Sequence, residues 1–209
     1  MKLTLDHFMY AASDLDALRE QFYGLTGVSA DRGGVHPGLG TRNALASLGQ
    51  DVYLELIAPD PEQNVPGSWG ALFGNFSQAQ IFTYVVKCAD IELCQERLTG
   101  LGFKTELINA SRTTPSGQVI RWRLLLPEAN RFANFFPIFI DWLDSKHPSE
   151  SVVTGCQLVS FEIGHPEAAE LSRIFAAIAV DVTVVHADRP YFQARIQTPQ
   201  GLVVLNSAT

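Results

Sequence analysis

Leu3-Thr4-Leu5-Asp6-His7-Phe8-Met9-Tyr10-Ala11-Ala12-Ser13-Asp14-Leu15-Asp16-Ala17-Leu18 is the stretch whose reading decides the fold. Leu3 to Ala12 is mostly apolar, interrupted by Thr4, Asp6 and His7, and reads as a strand. Ser13-Asp14-Leu15-Asp16 then matches a helix start, in which a hydroxyl and an acid satisfy the free N–H groups of the first turn. Leu15, Leu18, Phe22 and Leu25 recur at helical spacing, and Gly27 can end the helix. A short strand near Val28 follows, then Thr41 to Leu48 and Val52 to Ala58, joined by a tight Gly49-Gln50-Asp51 turn. The unit is βαβββ.

The same order begins again at Ile81 and at Leu158. Ile81 to Cys88 reads as a strand, Asp90 as a helix cap, and Ile91, Cys94, Leu98 and Leu101 as one helix face. A short strand near Phe103, then Gln118 to Leu126 and Pro137 to Trp142, complete the second unit. In the third, Leu158 to Gly164 precedes a helix with Pro166 in its first turn and Leu171, Ile174, Phe175 and Ile178 on its buried face. Val182 to His186, Tyr191 to Gln197 and Leu202 to Leu205 are its later strands. The expected organisation is three βαβββ modules at 1–62, 79–143 and 157–209, with connectors at 63–78, which carries a short helix, and 144–156. The fold class is α+β, with curved mixed sheets that carry their helices on one face.

Composition narrows the function. The formal charge is −7 over 209 residues, with no basic run long enough to grip phosphates, which argues against nucleic acid. Phe132 to Leu143 is broken by Asn134, Pro137 and Asp141, short of the roughly 18 apolar residues that a membrane span needs. No apolar core follows the N-terminus, so the expected location is cytoplasmic. Cys88, Cys94 and Cys156 show no CxxC spacing and read as core residues. No phosphate-loop, dinucleotide or nucleophile-elbow spacing occurs, so neither a nucleotide cofactor nor covalent catalysis is expected.

Glu55 stands out in Tyr53-Leu54-Glu55-Leu56-Ile57, because burying an unpaired carboxylate costs several kcal/mol. A metal, an arginine partner or a polar cavity would each explain it. His36 lies in a loop with Gly33, Gly34, Gly38 and Gly40. It reads either as an acid–base group at a pocket rim or as a cap on a turn. Arg42 and Asn43, just beyond, are suited to a substrate carboxylate or phosphate. Arg121-Trp122-Arg123 forms a further cluster, with the arginines on one side of a strand and Trp122 on the other. It reads as an anion site, as partners of Glu55 or Asp141, or as a solvated face.

Leu5-Asp6-His7-Phe8 with Asp14-Leu15-Asp16 resembles the opening of the vicinal-oxygen-chelate superfamily, which includes glyoxalase I, extradiol dioxygenases and fosfomycin- and bleomycin-resistance proteins. Gly34-Val35-His36-Pro37-Gly38-Leu39-Gly40-Thr41-Arg42-Asn43-Ala44-Leu45 and Tyr53-Leu54-Glu55-Leu56-Ile57-Ala58-Pro59-Asp60-Pro61 narrow the resemblance to glyoxalase-like domain proteins. Pro137-Ile138-Phe139-Ile140-Asp141-Trp142 is a secondary signature.

The resemblance implies half-barrels formed by paired modules, with a divalent metal held by the first and last strands. It places His7, Glu55 and Asp141 as ligands of Fe, Mn, Zn, Ni or Co. Thr83 falls in the fourth ligand position, which departs from the metal-binding pattern. Glu55 and His36 are the expected catalytic residues, and Arg42, Asn43, Tyr53, Arg121 and Trp122 the expected substrate contacts. The implied activity is a metal-assisted lyase, isomerase or dioxygenase reaction on a small oxygenated molecule. The alternative is a sequestering protein that binds a small molecule without catalysis. Such modules usually pair, and three is an odd number, so a homodimer is expected.

Overall fold

A computed structural model describes residues 2–113 and 119–207. The chain runs β1 (Leu3–Ala11), α1 (Leu15–Thr26), β2 (Asp31–His36), β3 (Thr41–Ser47), β4 (Tyr53–Pro59) and α2 (Trp69–Phe73). It continues β5 (Gln80–Lys87), α3 (Ile91–Gly100), β6 (Thr105–Thr113), β7 (Val119–Pro127) and β8 (Ile138–Asp141). It closes with β9 (Gln157–His165), α4 (Ala168–Ile178), β10 (Val180–Asp181), β11 (Thr183–His186), β12 (Tyr191–Thr198) and β13 (Gly201–Asn206). The fold is α+β with mixed sheets, as the alternation of periods predicts. The strands expected near Val28 and Phe103 begin later, at Asp31 and Thr105, and the second is nine residues long. Gln118, the expected start of β7, lies outside the described residues.

Two compact units emerge, and each draws on separated segments. The β2–β4 unit comprises Phe8–Phe82, Pro148–Ser160 and the chain from Gln193 on. The β6–β8 unit comprises the chain up to His7, Thr83–His147 and Phe161–Phe192. These units cut across the sequential modules because long-range pairing outweighs chain order. Leu3 and Thr4 of β1, for example, pair in parallel with Val180 and Asp181 of β10.

In the β2–β4 unit the strand order is β2-β3-β4-β1. Antiparallel register sets Asn43 opposite Ile57 and Leu45 opposite Glu55. Alternation therefore puts Asn43, Glu55 and Tyr53 on one face and Arg42 on the other. The β2–β3 ladder slips between Arg32 and Val35, where Gly33-Gly34 forms an irregularity just before His36. Helix α1 starts and ends where the sequence predicts, but the acid Asp14 rather than the Ser13 hydroxyl is its cap: Ala17 N–H donates to Asp14 Oδ1 at 2.7 Å, and Gly27 ends it at φ 73°. Leu15, Leu18 and Phe22 are its buried face. Trp69, Phe73, Phe76 and Phe82 form an aromatic cluster around α2.

In the β6–β8 unit the strand order is β5-β8-β7-β6. β5 and β8 run parallel, and β7 runs antiparallel to both β8 and β6. β9 and β11 also pair in parallel. Phe136 joins Phe132, Phe139 and Phe175 in the core. Cys88, Cys94 and Cys156 are buried free thiols. Among the described residues, no helix is long and apolar enough to cross a membrane.

Candidate functional site

Glu55 sits in the middle of β4 and is 5% exposed. Burial of a charge demands partners, and the neighbouring strands supply them. Asn43 Nδ2 donates to Glu55 Oε1 at 2.6 Å and lies 3.2 Å from His36 Nε2. Gly34 N–H donates to Asn43 Oδ1 at 2.8 Å, which fixes the orientation of the amide. Because both Asn43 Nδ2 hydrogens are donated, neutral His36 accepts at Nε2 and donates from Nδ1 to Thr41 Oγ1, 2.9 Å away. His36 Nε2 stands 3.7 Å from Glu55 Oε1. The result is a carboxylate, an amide and an imidazole in one connected network within the β2–β4 unit. His36 is its outer member, with 21% of its side chain exposed.

The His36 turn is held from below. Gly70 N–H donates to Leu39 O at 3.2 Å, and Asp60 N–H to Gly40 O at 2.9 Å. A Cβ on Gly70 would come within 2.0 Å of Gly40 O, so only glycine allows that approach. Gly40 itself adopts φ 67°.

A second acid–imidazole network lies in the β6–β8 unit. Asp6 is fully buried on β1. It accepts from His7 Nδ1 at 2.6 Å, Trp142 Nε1 at 2.8 Å and His147 Nε2 at 3.1 Å. Burial by itself would push its carboxyl up. The hydrogen bonds from His147 and His7 outweigh that and hold it down at about 2. With its Nδ1 proton directed to Asp6, His7 carries its lone pair on Nε2. Asp6, Trp142 and His147 were not singled out by their sequence context. A charged residue inside an apolar strand was the signal at Asp6, the same signal that marks Glu55.

The remaining expected residues fall in different settings. Asp141 accepts from Arg123 Nη2 at 2.5 Å and Nε at 3.2 Å, and from Leu143 N–H at 2.9 Å. Arg123 also pairs with Glu92 of α3. These two acids raise the Arg123 pKa above its ordinary value, Asp141 more strongly. Trp122 packs on Trp142 with ring centroids 5.7 Å apart. Arg121 is exposed, with its backbone tied to Ser145. Thr83 Oγ1 donates to Asn134 O. Tyr53 is buried on the Glu55 face. Arg42, expected beside Asn43, turns to the opposite face of β3 and to Asp16.

With this geometry in place, likeness to known proteins becomes informative. The glyoxalase-like domain family model matches residues 5–179. The chain belongs to the glyoxalase-like domain family. That places it in the vicinal-oxygen-chelate superfamily, as the motifs around His7, His36 and Glu55 imply. Among curated proteins, none matches the chain. A hypothetical protein from Staphylococcus aureus is 17% identical over 99% of this chain and 85% of that one, with a TM-score of 0.65. A methylmalonyl-CoA epimerase in complex with methylmalonyl-CoA and NH4+ is 18% identical over 71% of this chain and 100% of that one, at 0.50. The Mycobacterium tuberculosis methylmalonyl-CoA epimerase is 21% identical over 65% and 84%, at 0.45. At these identities the likeness establishes the fold alone.

The superfamily's divalent ion can be tested against the donor set of this glyoxalase-like domain. His7 fits one requirement, since metal-bound imidazoles commonly donate their other N–H to a carboxylate. Asp141 does not fit, because a guanidinium already occupies its charge. Among the described residues, no three His, Cys, Asp or Glu side chains gather as a metal group.

Proposed function

We propose that this glyoxalase-like protein is an enzyme of the lyase or isomerase type that moves a proton on a small oxygenated molecule. Glu55 is the proton carrier and His36 its partner at the rim. The observation that carries this reading is the buried Glu55 carboxylate, held by Asn43 at 2.6 Å beside a part-exposed imidazole. A carboxylate fixed by one strong donor is positioned rather than merely solvated. Its orientation costs nothing at the moment of reaction. The Asn43 amide and protonated His36 supply donors to an oxyanion that develops when a carbon-bound proton leaves. Protonating His36 would turn Nε2 from acceptor to donor, away from its bond with Asn43 and towards anionic oxygen.

Deuterium exchange tests the reading. Small 2-oxo acids, hydroxyaldehydes and acyl thioesters are incubated with the protein in heavy water, and carbon-bound exchange is followed by NMR. The expected outcome is exchange into at least one compound class, slowed roughly 10²–10⁴-fold in Glu55→Gln. Wild-type exchange no faster than that of the variant across all classes would end the proposal.

A second reading, ligand binding without catalysis, is favoured by the Arg123–Asp141 pair, which departs from a metal-centred site. It predicts that an organic ligand raises Tm while Mn, Fe, Co, Ni and Zn leave it unchanged, and that untagged protein carries well below one ion per chain. A full equivalent of metal lost on His7→Ala would restore the metal-assisted route.

A further inference from the structure

On the face of β3 opposite Asn43, three guanidiniums converge on one carboxylate. Asp16, in the first turn of α1, faces Arg32 Nη2 at 2.5 Å, Arg42 Nη2 at 3.6 Å and Arg19 Nη1 at 3.8 Å. Three cations around one anion leave two positive charges uncompensated, in a chain whose formal charge is −7. The neighbouring acid, Asp31, makes no ion pair with them among the described residues; its Oδ2 accepts from Val153 N–H at 2.6 Å.

Arg19 and Arg42 are part-buried, with 23% and 26% of their side chains exposed, while Arg32 lies at the surface. Arg19 is anchored by two bonds, Nε and Nη2 both donating to Ala30 O at 3.1 and 2.9 Å. Arg32 and Arg42 lie on adjacent strands either side of the β2 irregularity, with Val35 opposite Arg42 and Ala44 opposite Arg32. The Arg42 Nε is buried with no hydrogen-bond partner among the described residues. A buried donor without a partner costs free energy, and the structure bears that cost beside an excess of positive charge. An oxyanion on the open side of the cluster would answer the excess charge. Guanidinium forks match the oxygens of phosphate and carboxylate, and the half-exposed Asp16 leaves the cluster open to solvent.

We infer that Arg19, Arg32 and Arg42 form an anion-binding site for a small oxyanion, with Asp16 as the internal counter-charge that tunes its affinity. The site is separate from the Glu55 network. It stands whether or not Glu55 moves protons.

Calorimetric titration of the full chain with inorganic phosphate at low ionic strength tests the inference, and citrate and acetate in parallel separate a phosphate from a carboxylate preference. Wild type is expected to bind at least one of the three. Asp16→Asn, which removes the competing charge, should tighten binding about fivefold, and Arg32→Met should weaken it about fivefold. Arg173→Met, an exposed arginine on α4, should change nothing. A purely structural ion-pair cluster predicts the reverse for Asp16→Asn: loss of stability with no gain in affinity. Absence of binding to wild type, unchanged affinity in Asp16→Asn, or equal weakening by Arg173→Met would overturn the inference. If Asp16→Asn does not fold, the contrast between Arg32→Met and Arg173→Met decides it.

Discussion

The two acid–imidazole networks look alike on paper and differ in what they can do. Asp6 is sealed: its three donors, His7, Trp142 and His147, are themselves buried, and its carboxyl is held down at about 2. Such a group stays ionised and holds its neighbours in place. Glu55 belongs to a network that reaches the surface through His36, on a strand with no buried residue. A buried acid linked to a solvent-reaching imidazole can exchange a proton; a sealed one serves stability. The comparison teaches that the setting of a charged residue, more than its burial, separates a structural from a chemical role.

The sharpest way to break the comparison is to remove each acid by amide substitution. Glu55→Gln should lose turnover by the factor stated above while Tm changes little, since the amide can still accept from Asn43. Asp6→Asn should do the opposite. The folded-state pKa of Asp6 is depressed, so its stabilisation is present above pH ~4 and lost as pH falls towards 2. The shift corresponds to about 2.5 kcal/mol. Urea unfolding should show Asp6→Asn less stable by about that much at pH 7, with the gap closing below pH ~4. A gap that stays constant with pH would show that Asp6 is not the stabilising ion described.

The smallest test addresses the rim. Gly70→Ala should cost about 1–3 kcal/mol, because its Cβ meets the backbone oxygen of Gly40. It should also shift the His36 imidazole resonances, whereas the His7 and His147 resonances stay put. Unchanged His36 signals would detach that turn from the packing of α2.

Much of the fold was legible in the chain. The bounds of α1 fall where the sequence puts them, with Gly27 at its end and the cap one residue on, at Asp14 rather than Ser13, because capping is a local hydrogen-bonding problem. The antiparallel register of β3 and β4 puts Asn43 and Glu55 on one face and, by alternation, Arg42 on the other. Grouping Arg42 with Asn43 as joint substrate contacts overlooked that parity, and the Asp16 cluster is what the parity produces. The Arg123–Asp141 pair was among the readings open from sequence, and the antiparallel register of β7 and β8 selects it.

By itself, then, the sequence determined the elements, their caps and the presence of acids inside apolar strands. These depend on neighbours within a few positions, where propensity and hydrogen bonding act. Only the tertiary structure decided which side chains met. Trp142 and His147 reach Asp6 across more than a hundred residues, and Leu3 pairs with Val180. Such contacts are set by strand pairing and burial, and no local pattern encodes which distant donor will satisfy a buried charge.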